Sequence, residues 1–166
     1  MACSIAKETV EQTIAFHGHS CPGLAIGIRV SELAMEKLGI HRSKSGLCVT
    51  ETDMCAVDAI QFLTQCSFGK GNLIHRDWGK SAFTFYDRNA QKGFRALFTE
   101  GATHSDKASE QTRALMAKSL EGKASKEEEE LVRERREQRI LQIMGADLTT
   151  LFSWEDIDGP PVRPAR

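Results

Sequence analysis

The sequence predicts an α+β protein: an antiparallel sheet packed with helices around one buried central helix, followed by a C-terminal helical hairpin. Three observations predict it. Residues 22–38 read as a single helix that is apolar on more than one face, as a helix inside a core must be. Short apolar segments between residues 47 and 98, rich in β-branched and aromatic residues, are bounded by turn residues and read as strands. After residue 105 the chain turns strongly charged and helix-favouring. A chain of 166 residues is long enough for one domain with a core and too short for two. We place that domain at residues 1–145 and read 146–166 as a C-terminal tail.

Ser4 can cap a first helix in which Ala6, Val10 and Ile14 recur every four residues and which runs to Phe16. After a turn, Pro22 opens the second helix, where its missing N–H costs nothing. Leu24, Ile28, Leu33 and Leu38 lie on this helix with Ala25, Ile26, Val30 and Ala34, and Gly39 stands where a left-handed cap is wanted. Residues 41–46 form a polar connection. Leu47 to Thr50 is a strand, and Asp53 can cap a third helix from Met54 to Gln65. Gly69-Lys70-Gly71-Asn72 is a loop, Leu73-Ile74 a short strand, and Ala82–Tyr86 with Phe94–Phe98 a hairpin across Asp87-Arg88-Asn89. Ser105–Gly122 and Lys126–Met144 read as two helices, the second closed by Gly145. Acid at its start, base further on, and an i,i+4 pair between Glu129 and Arg133 suit the helix dipole. Asp158 to Pro164 is too proline-rich for regular structure.

Composition narrows the function. The net charge of −1 gives no footprint for nucleic acid or an anionic membrane, and no apolar run approaches a membrane span. The N-terminus lacks the basic flank and apolar stretch of a signal peptide, so we expect a cytoplasmic protein. Its five cysteines, Cys3, Cys21, Cys48, Cys55 and Cys66, then read as free thiols or metal ligands.

The chemistry concentrates in His17-Gly18-His19-Ser20-Cys21-Pro22-Gly23. Two imidazoles and a thiol within five residues are the ligand types that suit zinc and other borderline-soft divalent ions. Cys21, just before Pro22, falls at a helix N-terminus, where a thiol is acidified. Cys55 falls in the first turn of the third helix, with the same expectation; a lone cysteine there would otherwise be a small hydrophobe. Asp77 with Lys80 forms either a catalytic acid–base pair or, as the spacing favours, a surface ion pair. The Gly69–Asn72 loop only faintly resembles a phosphate cradle, because it lacks the G-x-x-x-x-G-K-[ST] spacing. His41, His75 and His104 are isolated.

F-H-G-H-S-C-P-G-L-A-I-G-I-R, E-T-D-M-C-A-V-D-A-I-Q, C-S-F-G-K-G-N-L and D-W-G-K-S-A-F-T-F-Y, in that order, resemble the E-subunit family of formylmethanofuran dehydrogenase, FmdE. The resemblance covers residues 10–100. It implies an α+β core that binds zinc or a similar metal, usually as a homodimer. Carried over, the metal ligands are His17, His19, Cys21 and Cys55, with Cys66, Asp58 and Lys70 as neighbours. Cys21, Asp58, Lys70 and Asp77 are the catalytic candidates. Many relatives carry a C-terminal four-cysteine zinc ribbon; no cysteine follows Cys66, so no ribbon is expected here. The family name reflects an operon association and assigns no reaction.

Three function classes stay open: a metal-dependent enzyme with a small-molecule substrate, a metal-binding accessory protein for a molybdenum or tungsten oxidoreductase, and a metal-free enzyme with a cysteine nucleophile activated by His17 or His19. The H-E-x-x-H and H-x-E/P-C-x-x-C patterns are both absent, so neither a zincin nor a deaminase reaction is assigned. Eleven residues separate Cys55 from Cys66. In an unbroken helix that is roughly 16 Å, too far for one ion to bind both.

Overall fold

Helix α2 (Pro22–Leu38) is the buried spine of the protein; every residue from Leu24 to Ala34 is buried, including Arg29, Ser31 and Glu32. The computed structural model describes residues 2–40, 44–99 and 106–161, the side chains of 106–109 apart. His41, His104, the helix start at Ser105 and the chain beyond 161 fall outside them. The other elements, in order, are α1 (Lys7–His17), β1 (Gly46–Thr50), α3 (Ala56–Thr64), β2 (Leu73–His75), β3 (Ala82–Asp87), β4 (Lys92–Phe98), α4 (Asp106–Leu120), α5 (Lys126–Gly145), α6 (Leu148–Leu151) and β5 (Phe152–Ile157).

The α+β class is observed, and two details of the expected sheet change. The sheet is mixed, with strand order β2-β1-β3-β4-β5. β1 and β2 run parallel, Cys48 opposite Leu73, and the other pairings are antiparallel. The reason is the connection between them: α3 carries the chain back across the sheet, and a strand–helix–strand unit delivers its second strand parallel to its first. Residues 152–157 are not part of a tail. They form β5, paired with β4 from Gly93–Ile157 to Phe98–Phe152, and Phe152 and Leu151 enter the core. Lys37 fixes this edge by lying 5.5 Å from the Trp154 ring centroid and 3.3 Å from Asp156. The hairpin of β3 and β4 forms as expected, with Phe85 opposite Phe94.

Capping differs at several ends. Ser4 does not cap α1, whose N-cap is Ala6; the Ser4 N–H donates instead to Glu32 Oε1 at 2.6 Å. Asp53 does not cap α3, which begins later, after Cys55. Gly39 takes the expected left-handed conformation (φ 65°) after α2, whereas α5 runs through Gly145 to an extended Ala146. Arg133 pairs with Glu130 rather than Glu129. Ser125 and Glu128 form a reciprocal capping box at the start of α5.

Two ion pairs, one buried on both sides and one on its acidic side, tie these layers together. Arg29 pairs with Glu32 at 3.2 Å, and its guanidinium donates to the carbonyls of Met144 (3.0 Å) and Ala146 (2.6 Å), satisfying the orphan end of α5. Glu51, just beyond β1 and 1% exposed, receives both arms of Arg95 at 2.6 and 2.8 Å. Removing one partner of such a pair leaves a charge without compensation, so both arginines fix the framework that carries the site.

The spine meets α3 at its glycines. A Cβ on Gly27 would collide with the carbonyl oxygen of Ala56 and stand 2.6 Å from its Cα. One on Gly23 would lie 3.0 Å from Met54 Cε and 3.2 Å from Cys55 Cβ. Only glycine lets the first turns of α2 and α3 approach this closely, and that approach brings Cys55 to Cys21.

Candidate metal centre

Helix α1 ends at His17, and Gly18 in the left-handed region (φ 97°) reverses the chain towards α2. Cys21 is extended (φ −150°, ψ 162°) and is the N-cap of α2, with Pro22 at the first helical position. Its Sγ accepts from the Leu24 N–H at 3.3 Å, as a capping side chain should. The sequence order alone therefore folds His17, His19 and Cys21 around one point. Their donor atoms all lie within 4.8 Å of one another.

His17 is held by Asp58 of α3. The Nδ1–H donates to Asp58 Oδ2 at 2.7 Å, and because a carboxylate only accepts, the proton must sit on Nδ1. That leaves the Nε2 lone pair, 3.8 Å from Cys21 Sγ, free to bind. A carboxylate behind a histidine in this way fixes its tautomer and raises its basicity, the usual support of a metal-ligating imidazole. The His19 ring lies at 4.5 Å from that of His17, tilted by 36°.

Cys55 approaches from the N-cap of α3 and lies beside the Cys21 thiol. The expected acidification of Cys55 is not found. Its backbone is already helical and makes no cap bond. Burial comes first, then the adjacent Cys21 thiol, and together they raise the Cys55 pKa. A divalent ion held by Cys55 would offset this cost by taking the thiolate as its ligand.

The donor set fits a metal ion. In a tetrahedral zinc site the bonds of about 2.0–2.3 Å place donors roughly 3.3–3.8 Å apart. The 3.8 Å between His17 Nε2 and Cys21 Sγ is already in that range, and the 4.8 Å limit on the trio requires a contraction of about 1 Å.

The other sequence candidates lie elsewhere. Cys66 is fully buried in the main core cluster with Cys48, beyond the far end of α3, and burial raises both thiols. Lys70 is not a neighbour of the trio. It donates to the Gln65 carbonyl at 3.2 Å, at the C-cap of α3 and hence about 15 Å of helix from Cys55. Asp77 and Lys80 are exposed, and no ion pair joins them among the described residues. Sequence reasoning missed Gly23 and Gly27 as the contact that sets the site, although their spacing of four on one helix is a visible signal.

Comparison with known proteins supplies the family. Residues 16–153 match the family described as FmdE, Molybdenum formylmethanofuran dehydrogenase operon. This chain belongs to the FmdE family. A probable S-adenosyl-L-methionine-binding protein of Archaeoglobus fulgidus is 41% identical over 86 residues, which are 48% of this chain and 24% of the relative. The chain thus spans about a quarter of that relative's length. The crystal structure of a tungsten formylmethanofuran dehydrogenase FmdE-like protein from Syntrophus aciditrophicus superposes with a TM-score of 0.65 at 25% identity, covering 97% of this chain and 78% of that one. No helix among the described residues is long and apolar enough to cross a membrane.

Proposed function

We propose that this FmdE-family protein binds one divalent transition-metal ion per chain, zinc, through His17, His19, Cys21 and Cys55, as an accessory to a molybdenum or tungsten oxidoreductase. The convergence of three soft and borderline donors within 4.8 Å, one of them oriented by Asp58, carries the metal reading. The family description and the Syntrophus neighbour support the accessory role. A bound zinc ion would supply Lewis acidity at a partly open surface. The chain's own residues set the rest: Asp58 keeps the proton on Nδ1 of His17, and Cys55, which stands outside the tight trio, would close the site as the fourth donor.

The His17–Asp58 pair also favours a second reading, a metal-free nucleophile in which Asp58 orients His17 and His17 deprotonates Cys21. Under that reading His19 and Cys55 have no work to do. Alkylation by iodoacetamide separates the two: zinc protects Cys21 if it is a ligand, and added zinc changes nothing if it is only a nucleophile. Asp58→Ala is expected to weaken zinc binding roughly 10- to 100-fold while the fold is kept, as read by competition with a chromogenic chelator. Wild-type affinity would remove Asp58 from the site.

We also propose a homodimer. Leu120 and Leu141 on the charged hairpin are 83% and 72% exposed, and protruding helices usually bury their apolar residues against something. Light scattering should give twice the chain mass at micromolar concentration; a monomer mass refutes it.

A further inference from the structure

At the opposite end of α3 from the metal centre lies a cavity of about 660 Å³ lined by Lys44, Leu47, Gln65, Lys70, Gly71, Asn72 and Arg88. Its size is that of a small-molecule site. Three cations line it and no acid does, in a chain whose net charge is −1. None of the three forms an ion pair among the described residues. Asp87, which precedes Arg88 in the chain, accepts from the N–H groups of Asn89 (2.8 Å) and Ala90 (3.3 Å) in its own turn.

We propose that this cavity binds a small molecule bearing a phosphate or diphosphate group, held by Lys44, Lys70 and Arg88. The arginine is pre-positioned for it. Its Nε donates to the Ser45 carbonyl at 3.1 Å and its Nη2 to the Lys44 carbonyl at 2.7 Å, leaving Nη1 without a partner among the described residues. The guanidinium is thereby fixed at the mouth, and a fixed fork loses less entropy on meeting a phosphate. Lys70 reaches the same place from the Gly69–Asn72 loop, anchored by its bond to the Gln65 carbonyl. Asn72 holds the floor, donating to the Gly46 carbonyl at 3.0 Å and accepting from the Ser67 N–H at 2.9 Å. The volume exceeds what a bare phosphate ion needs, which leaves room for an organic remainder.

The test is calorimetric titration of the full chain with inorganic phosphate and with pyrophosphate. The expected result is saturable binding of one anion per chain, tighter for pyrophosphate and weakened by added salt. Lys44→Gln and Lys70→Gln, both at exposed positions, should each weaken it about tenfold, whereas Lys70→Arg retains it. Metal content should be unchanged in all three, which keeps this site separate from the metal centre. Failure of both anions to saturate, or equal affinity in the Lys44→Gln/Lys70→Gln double variant, overturns the proposal.

Discussion

Replacing Gly27 by alanine is expected to destabilise the protein by about 3 kcal/mol, although it adds only one methyl group to a helix and touches no candidate ligand. The added carbon would overlap the Ala56 carbonyl oxygen and lie 2.6 and 2.8 Å from its Cα and carbonyl carbon. These are backbone atoms, so no rotamer change relieves the contact, and α3 as a whole must move away from α2. That movement opens the cluster of Leu24, Ile28, Ala59 and Leu63 between the two helices. It also carries away Cys55, the residue before Ala56, and Asp58, two residues after it. Urea denaturation should show the lost stability, and zinc titration of the folded fraction should show weakened binding. Unchanged stability would mean that α2 and α3 do not pack as described. The opposite control is Gly69, where a Cβ meets nothing within 4 Å; alanine there should be tolerated.

The second large effect distinguishes two cysteines. Cys55→Ser is expected to lose most of the bound metal, because it removes the fourth donor from beside Cys21. Cys66→Ser is expected to keep the metal. Its side chain is fully buried in the core beyond the far end of α3, and a serine hydroxyl placed there costs about 1–3 kcal/mol unless it finds a partner. The two variants should therefore separate metal content from stability, as measured by elemental analysis and thermal unfolding on the same samples. Metal retained in Cys55→Ser and lost in Cys66→Ser would reverse the ligand assignment.

Much of this arrangement is legible in the sequence because its signals are local. The proline after Cys21 marks the N-cap, and the short path from His17 to Cys21 brings the three donors together without help from distant residues. Gly39 marks the end of α2 for the same reason: left-handed backbone favours glycine. What the sequence hides depends on contacts between distant segments. Glu51 reads as the polar end of a strand, and only the fold shows it buried with both arms of Arg95 upon it. Arg29 looks like an interruption in an apolar helix until α5 delivers its final carbonyls to it. The parallel placement of β2 follows from α3 crossing back over the sheet. β5 is masked by its proline-rich continuation, although Phe152 and Trp154 alternate with polar residues as a half-buried strand requires. Helix position alone gives the wrong direction for the Cys55 pKa; burial and the Cys21 thiol outweigh the dipole, since the residue precedes the first turn without capping it.

The measurement that tests the account most directly is elemental analysis of the full chain purified without added metal, beside Cys21→Ser prepared identically. Cys21 contributes a soft donor to the trio and contacts the thiol of Cys55, so its loss affects two interactions at once. Structural zinc sites bind with apparent free energies of about 10–16 kcal/mol shared over four ligands, so removing one thiolate should cost about two to three powers of ten in affinity. The account predicts one zinc per wild-type chain and an essentially metal-free Cys21→Ser protein that still folds. One equivalent of metal remaining in Cys21→Ser would contradict it.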